Sequence, residues 1–450
     1  MTVLGLLVHG ASAHVPIIYI AGPDEDWCAV LNGTIGNDVV YLLPGTYEGP
    51  CDARADLSDV PAEQTTVTSF DETDPAVFAG STGDYVLRFS GERLQIRDVA
   101  FRDLPAGIDA IRVGGIKELW VKRVAFTRVA GRGVVQDGPV DELRVLDTAF
   151  HDVAHPLTAG GCLDCTVAEL VVNDNLVRGA TVGLRVGAGA TGELEDNVLF
   201  GVDVGLVLDG TEGALMLSGA YVDAAQDGIV VAEGPVTVSA SIVAGSPAVR
   251  AEAPTDTVFT GNTLHGTLAL TEWGPDRGLR FVGNAALGSL PDLAGAEASA
   301  NVACDAGCFA DPSGHDYYPA PDSPLRDAGD PDAGEDFCGR PRGATPTAGA
   351  LQADGDRSFG GVVEDFKSET DCTLPAPLAP TGDTGEPEVP GPDPDPEAPP
   401  APVTPSPSPA AEPTGCASTP PGGLGGFGLL VVGLISRRPA SGRRRPRCRG

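Results

Sequence analysis

The sequence predicts an all-β protein, a parallel β-helix solenoid followed by a proline-rich stalk. Two observations predict the solenoid. Apolar residues recur in steps of 21 to 27 residues between Leu94 and Leu287, and each repeat holds three short β-prone runs separated by glycine, asparagine or aspartate. No run reaches the ten or so residues that a helix needs, so a helical solenoid is excluded. Stacked coils would place equivalent strands about 4.8 Å apart and bury their inward columns on one another.

Three apolar columns define the predicted repeat. The first column is Leu94, Leu119, Leu143, Leu170, Leu194, Leu215, Val236, Val258 and Leu279. The second column is Phe101, Phe126, Phe150, Val177, Leu199, Tyr221, Ile242, Leu264 and Leu287. The third column, in which each member follows a glycine, is Ile108, Val134, Leu184, Leu206 and Ile229. We expect all three columns to point into the core.

Asparagines lie two or three positions before the second column, at Asn175, Asn197, Asn262 and Asn284. Asparagine tolerates left-handed backbone angles and bonds its own loop, so we interpret these residues as turn formers that can also bond one another. On this interpretation, Asn262→Ala costs about 1 kcal/mol or less.

Both ends of the repeat region resemble a known family. VPIIYIAG followed by NDVVYLLPGTYEGP is similar to the entry coil, and SPLRDAGDPDAGEDFCGRPRGATPTAGALQ to the closing segment, of pectin-lyase-like proteins. The resemblance covers roughly residues 15 to 352 and implies a right-handed parallel β-helix. It implies no particular substrate.

The charge balance limits the possible partners. Twenty-nine basic residues face sixty-three acidic ones, giving a formal charge of −34. This balance argues against nucleic acid and anionic membranes, and it favours solubility and divalent cations. Residues 1–13 contain an apolar run and an Ala-Ser-Ala site without a positive start, which predicts a weak or truncated signal peptide; the alternative is an internal start codon.

Ten cysteines in an exported protein predict disulfides. The expected members are the neighbouring residues Cys28 and Cys51, Cys162 and Cys165, Cys304 and Cys308, and Cys338 and Cys372. One alternative is a zinc site made of His151, His155, Cys162 and Cys165, since two histidines and two cysteines form a common zinc tetrahedron.

The C-terminal part divides into three segments. Residues 353–373 form a cysteine-containing extension, and residues 374–415 form a disordered stalk with fifteen prolines between 374 and 414, able to extend on the order of 130 Å. Residues 416–450 hold Cys416, a short apolar run and an arginine cluster. This order resembles the MYXO-CTERM sorting signals of myxobacterial surface proteins, which implies a processing address read by sorting machinery, with Cys416 as the attachment residue. The alternative is a retained terminal helix. Either way, membrane contact is confined to this segment, and the β-helix is expected outside the cell, at the cell surface or outer membrane.

The sequence offers carboxylates but no catalytic motif. The N-T-D, G-H-G and R-I-K signatures of polygalacturonase-like enzymes are absent. Asp98, Asp103, Asp147 and Asp152 are the obvious carboxylate candidates. They occupy the same repeat positions as Arg123 and Arg128, which predicts opposite charges stacked on neighbouring coils rather than a catalytic set.

An acidic run near the end of the repeat region could bind calcium. It contains Asp327, Asp330, Asp332 and Asp336, but it lacks the spacing of an EF-hand loop. A solvated turn is the alternative interpretation.

The early coils carry a basic strip. Eleven arginines and lysines face eight acids between Arg88 and Arg144. Arg97 and Lys122 both lie four positions before the second column, so they should stack as like charges, with Arg102 nearby. We therefore expect a surface-displayed, non-catalytic module for adhesion, matrix or anionic polysaccharide contact, with Arg97, Arg102 and Lys122 at the binding site. The alternatives are a polysaccharide lyase or glycoside hydrolase, and a structural envelope spacer.

Overall fold

The computed structural model describes residues 16–55, 64–160, 162, 165–210 and 213–353. It is a right-handed parallel β-helix of about eleven turns, as the sequence predicts. Strands one turn apart pair in parallel and form three long faces, which we call sheets A, B and C.

Four long strands bend at a corner and serve two sheets in succession. Two of them, Tyr85–Arg97 and Asp109–Lys122, pass from sheet C to sheet A. The other two, Ala125–Gln136 and Ala149–Ala159, pass from sheet B to sheet C. The further strands of sheet A are Ile18–Ala21, Val39–Leu42, Thr65–Ser69, Val140–Leu146, Val167–Asn173, Ala190–Glu195, Leu215–Ser218, Val236–Ser239, Val258–Thr260, Arg280–Val282 and Glu297–Ser299. Those of sheet B are Thr46–Gly49, Val77–Ser81, Ala100–Leu104, Leu176–Arg178, Val198–Val202, Tyr221–Ala224, Ile242–Ala244, Thr263–His265, Ala285–Leu287 and Val302–Cys304. Those of sheet C are Cys51–Ala55, Val182–Val186, Val204–Leu208, Ile229–Gly234, Val249–Pro254 and Leu268–Leu270.

Helical structure in the described residues is short. The α-helix Trp27–Asn32 is N-capped by Asp26, whose carboxylate accepts from the Ala29 N–H at 3.0 Å. It buries Trp27, which packs edge-on against Phe78 at 5.4 Å. Three 3₁₀ turns follow at Pro275–Arg277, Ala306–Cys308 and Pro312–Gly314. No helix in the described ranges is long and apolar enough to cross a membrane.

The core is filled by side chains stacked turn on turn. In sheet B, Phe78, Phe101, Phe126 and Phe150 form a continuous stack with ring centroids 4.7 to 5.0 Å apart. All four rings are fully buried. Their spacing matches the separation of neighbouring strands, so each ring packs on its equivalent one turn away.

The predicted columns are confirmed in part. Leu94, Leu119, Leu143 and Leu170 share one register, as do Val134, Leu184, Leu206 and Ile229. Three other assignments are wrong by a short slip along the strand. Ile111 rather than Ile108 aligns with Val134, Gly192 rather than Leu194 aligns with Leu170, and Phe259 rather than Val258 faces inward.

The second column is wrong at Tyr221, Ile242 and Leu287, where the inward residues are Val222, Val243 and Ala286. Tyr221 and Ile242 point outward and are buried beneath residues 309–351. We call residues 309–351 the closing segment, because they contain most of the closing motif found in the sequence. This segment contains an antiparallel pair, Phe309–Asp311 with Asp316–Pro319. It is held on sheet B by two tyrosine–histidine hydrogen bonds, Tyr221 to His315 at 2.8 Å and Tyr317 to His265 at 2.7 Å.

Two predicted disulfides are present in the structure, Cys28–Cys51 and Cys162–Cys165. Cys338 is also disulfide-bonded, and its expected partner Cys372 lies outside the described residues. The disulfide expected between Cys304 and Cys308 is not formed: both are thiols in hydrogen-bond contact, and Cys308 is the last residue of the 3₁₀ turn Ala306–Cys308. Burial, followed by this hydrogen bond, raises the pKa of the Cys304 thiol.

Several expectations concern residues that the structure does not describe. They are the signal peptide at 1–13, the extension to residue 373, the stalk at 374–415 and the sorting segment at 416–450 with Cys416.

Candidate ligand-binding face

A column of turn residues with left-handed backbone angles joins sheets A and B, and we call it the A/B corner. It begins with Asp98, Arg123, Asp147, Asp174 and Asp196, whose φ angles lie between 50° and 59°. Aspartate tolerates this conformation because its short side chain bonds locally. The conformation turns each side chain outward beside the last residue of a sheet A strand, which brings charges on successive turns together.

One carboxylate at the corner is shared by two arginines. Asp98, only 8% exposed, accepts two hydrogen bonds from Arg123 at 2.7 and 2.9 Å. The Nε of Arg97 lies 3.5 Å from the same carboxylate. The hydrogen bond to Asp98 is the main reason that the pKa of Arg123 is raised. All three groups belong to the predicted strip and ladder, and the carboxylates of Glu72 and Asp147 also act on Arg123.

Arg97 and Lys122 are stacked in register on adjacent strands of sheet A, as the sequence predicts. Each of the two cations has a carboxylate beside it, since Lys122 Nζ lies 3.3 Å from Asp147 and Arg97 Nε lies 3.5 Å from Asp98. Both contacts are longer than a well-formed charged hydrogen bond, and the side chains remain 36% and 33% exposed for Arg97 and Lys122.

The third predicted ligand residue, Arg102, lies around the corner on the outer face of sheet B. It is exposed and is in register with Thr127 and, through it, His151. Its neighbour Asp103 is engaged by Arg128, with two hydrogen bonds of 2.6 and 3.0 Å. Within the described residues, the charge ladder is therefore confirmed at both predicted positions, Asp98–Arg123 and Asp103–Arg128. Each of these carboxylates accepts two hydrogen bonds from its arginine.

The outer face of sheet A carries a second group that the sequence analysis missed. The Arg144 guanidinium lies 5.1 Å from the centre of the Trp120 ring. Beside this pair, Glu118, Glu142 and Glu169 stand in register on three adjacent strands. The signal was available, because Trp120 and Arg144 each directly follow a residue of the first column. Once Leu119 and Leu143 are aligned, their successors must meet on the outside.

The glutamate column lines a shallow cleft of about 260 Å³, together with Arg93, Lys117 and Asp141. Arg93 lies 3.1 Å from Glu118, and Arg144 contacts both Glu142 and Glu169. Partial burial and, next, the charge of Glu142 raise the pKa of Glu118. The cleft is thus polar and mostly paired.

The proposed calcium ligands are not brought together. Asp336 is 2% exposed and binds Arg340 at 2.7 Å, and it also accepts from the backbone N–H groups of Cys338 and Gln352. Asp330 accepts from the N–H of Asp332 at 2.7 Å, within a turn. Asp327 has a left-handed backbone. Within the described residues, no group of three or more His, Cys, Asp or Glu could hold a metal ion. Asp330 and Asp336 therefore stabilise turns of the closing segment.

The alternative zinc site is also not formed. Its two cysteines, Cys162 and Cys165, are bonded to each other and offer no thiolate. His155 is half-buried, and burial followed by the charge of Arg185 lowers its pKa. The histidines belong to the sheet B and sheet C faces of one strand rather than to a metal centre.

Comparison with known proteins identifies no family. No family model matches the sequence, and no curated protein matches it. Solved structures with a similar course of the backbone include pectate lyase Pel9A, at a TM-score of 0.48 and 14% identity over 75% of this chain and 96% of that chain. An alginate lyase from Paenibacillus sp. str. FPU-7 gives 0.42 and 15%, over 59% and 97%. The A-module of the Azotobacter vinelandii mannuronan C-5 epimerase AlgE6 gives 0.41 and 14%, over 62% and 93%. We draw nothing about activity or ligand from these similarities.

Proposed function

We propose that this β-helix is a non-catalytic module that binds an anionic polysaccharide of a cell surface or matrix along the A/B corner. The supporting observation is the sharing of Asp98 by two arginines. Arg97, Lys122 and Arg123 lie against Asp98 and Asp147, and the charge of Glu72 also acts on Arg123. The three cations remain 33 to 42% exposed. A carboxylate or sulfate of the ligand would bind the exposed parts of these cations through charge-assisted hydrogen bonds.

The geometry of the corner suits a polymer. Arg97 and Lys122 lie on adjacent turns, about 4.8 Å apart along the axis of the solenoid, so a chain laid parallel to that axis meets the two cations in sequence. The next three turns carry Asp147, Asp174 and Asp196 at the corner. The formal charge of −34 makes most of the surface repel a polyanion, so binding would be confined to the coils between Arg88 and Arg144, where eleven basic residues face eight acidic ones.

We expect a double variant, Arg97→Ala with Lys122→Ala, to bind a polyuronate about tenfold more weakly than the wild type at low salt, because two charge contacts are lost. The measurement is a calorimetric titration with polyuronate and sulfated oligosaccharides at low and high salt. Binding by the wild type should weaken as salt rises, and the double variant should show a smaller salt dependence.

The matched control is Arg250→Ala with Arg280→Ala, which removes the same charge from side chains that are 41% and 42% exposed elsewhere on the solenoid. Equal loss in both double variants would reduce the effect to net charge. Absence of any salt-sensitive binding by the wild type would refute the proposal and favour the alternative function of a structural envelope spacer.

The display of this module at the cell surface is a separate proposal, based on the order of stalk, Cys416, apolar run and arginines. We expect Cys416→Ser to release the protein from the surface fraction or to leave the arginine-rich tail uncleaved. Cell fractionation with mass spectrometry of the C-terminus measures both. If both the wild type and the Cys416→Ser variant stay surface-bound with their tails attached, the segment is a retained helix instead of a sorting signal.

One observation favours the alternative of a carbohydrate-active enzyme. Glu118, whose pKa is raised, and Glu142 lie on adjacent strands in the sheet A cleft, an arrangement that could serve as an acid and a base. An assay for reducing ends and unsaturated products on acidic polysaccharides tests this. Turnover that is lost in Glu118→Gln, while binding at the corner is retained, would establish it.

A further inference from the structure

We propose that Tyr41 and Phe70 form an aromatic platform on which a sugar ring of the bound polysaccharide stacks, at the N-terminal end of the A/B corner. This inference rests on the proposed function and names a second contact for the same ligand. It restricts the ligand to an acidic glycan, because a platform for ring faces and a strip of cations would act on one chain.

Phe70 is unusual in its exposure. Its side chain is 57% exposed, and among the described residues it is the only aromatic one in the set of exposed large apolar side chains, the others being Ile18, Ile35 and Met216. Phenylalanines elsewhere in the solenoid fill the core or pack under the closing segment. A single exposed apolar side chain is common on protein surfaces, so the case for a ligand site depends on the neighbours of this ring.

The ring is fixed rather than loosely attached. Phe70 directly follows the strand Thr65–Ser69, and its N–H donates to the carbonyl of Leu42 at 2.8 Å, which continues the ladder into the corner. Tyr41 packs against it edge to face, with ring centroids 5.9 Å apart and planes at 79°. The two rings together present a preformed surface, so little conformational entropy is lost on binding.

The platform is in line with the cations. Tyr41 pairs in register with Thr68, Thr68 with Arg97, and Arg97 with Lys122, so one outward column of sheet A crosses four successive turns. At the spacing of neighbouring strands, Tyr41 lies about 10 Å from Arg97 along the solenoid axis. Phe70 extends the corner in the same direction, before Asp98.

These two chemistries select one class of ligand. A pyranose ring offers an apolar face of C–H groups that buries against aromatic rings, and an acidic sugar adds a carboxylate or sulfate for the cations. A purely inorganic polyanion would use the cations alone. A neutral glycan would use the platform alone. An acidic glycan running along the axis uses both.

The test compares Phe70→Ala with the wild type, using oligouronates of increasing length as the probe. We expect about tenfold weaker binding of the longer oligouronates, because a ring-stacking contact is lost while every charge is kept. The dependence of log affinity on log salt should stay unchanged in this variant. Titration calorimetry gives both quantities, and fluorescence of Trp120, which lies two residues before Lys122 on the same face, gives an independent readout.

The matched control is Met216→Ala, which removes an apolar side chain of sheet A that is 51% exposed and lies several turns from Phe70 along the solenoid. It should bind as the wild type does. Phe70→Ala should also keep the melting temperature of the wild type, since the ring is mostly in water. Wild-type binding together with unchanged affinity in Phe70→Ala would overturn the platform and leave the proposed function intact. Absence of oligouronate binding by the wild type at low salt would overturn both.

Discussion

Leu184→Asp is expected to unfold the middle turns of the solenoid. Leu184 is fully buried in the third column, in register with Leu157 on one side and Leu206 on the other. Truncating a buried leucine alone costs about 2–5 kcal/mol. A carboxylate without a partner in this core adds several more. Since domains have about 5–15 kcal/mol in total, the loss approaches the whole stability.

The measurement is thermal unfolding followed by circular dichroism, with hydrogen exchange to locate the loss. Exchange should be fastest in turns next to Leu184, because in a solenoid each turn contacts only its neighbours. The control is Arg185→Asp, which introduces the same residue one position later, on the exposed side of the same strand. It should shift the melting temperature by only a few degrees. Equal melting curves for the two variants would contradict the inward assignment of Leu184.

The architecture could be predicted from the sequence because one property repeats. Every turn must place an apolar residue at the same inward position. The spacing of leucines and phenylalanines along the sequence therefore gives the number of residues per turn. The prediction failed where this alternation is lost. Tyr221 and Val222 are both buried, one outward and one inward, and so are Ile242 and Val243. A strand buried on both faces no longer shows which residue faces in.

The outer burial at these strands could not be predicted from the repeats themselves. It comes from the closing segment, which is distant in sequence: Tyr221 meets His315, 94 residues away. The resemblance of the closing motif to β-helix proteins predicted that such a segment ends the solenoid, but not which strands it covers. In the sequence, the only sign that the closing segment covers sheet B is the presence of additional apolar residues in the strands of that sheet.

The register of the candidate site and its two charge ladders could be predicted, but the counter-ions of Arg97 and Lys122 could not. Equal spacing from the second column correctly placed Arg97 beside Lys122. The counter-ions depend on the left-handed turn, which swings Asp98 and Asp147 back toward the end of sheet A. Spacing alone carries no information on that direction. The platform of Tyr41 and Phe70 was missed because Phe70 lies in a turn, beyond the alternation of its strand.

For the buried asparagines, the structure changes the expected contribution to the free energy of unfolding. Asn175 bonds Asn197, and Asn262 bonds Asn284, which bonds Asn301, at 2.9 to 3.0 Å. Ala220 and Ser241 occupy the positions between these two groups. The side chains of Asn197, Asn262 and Asn284 are fully buried. They therefore replace water for backbone groups at the corner, a role that goes beyond turn formation.

Asn262→Ala is accordingly expected to cost about 3 kcal/mol, rather than the 1 kcal/mol or less that its role as a turn former suggests. Its Nδ2 donates to the Val238 carbonyl at 2.9 Å and to Asn284 at 3.0 Å, while its Oδ1 accepts from the Ser241 N–H at 2.9 Å. Alanine would leave these groups buried without partners, and each carries a desolvation cost of about 1–3 kcal/mol. Denaturant unfolding measures the loss, with Asn173→Ala as the control, because Asn173 makes its bonds to Glu195 on the outer face. A loss in Asn262→Ala no greater than in that control would show that water enters the corner and satisfies the exposed groups, and that the asparagines act as turn formers after all.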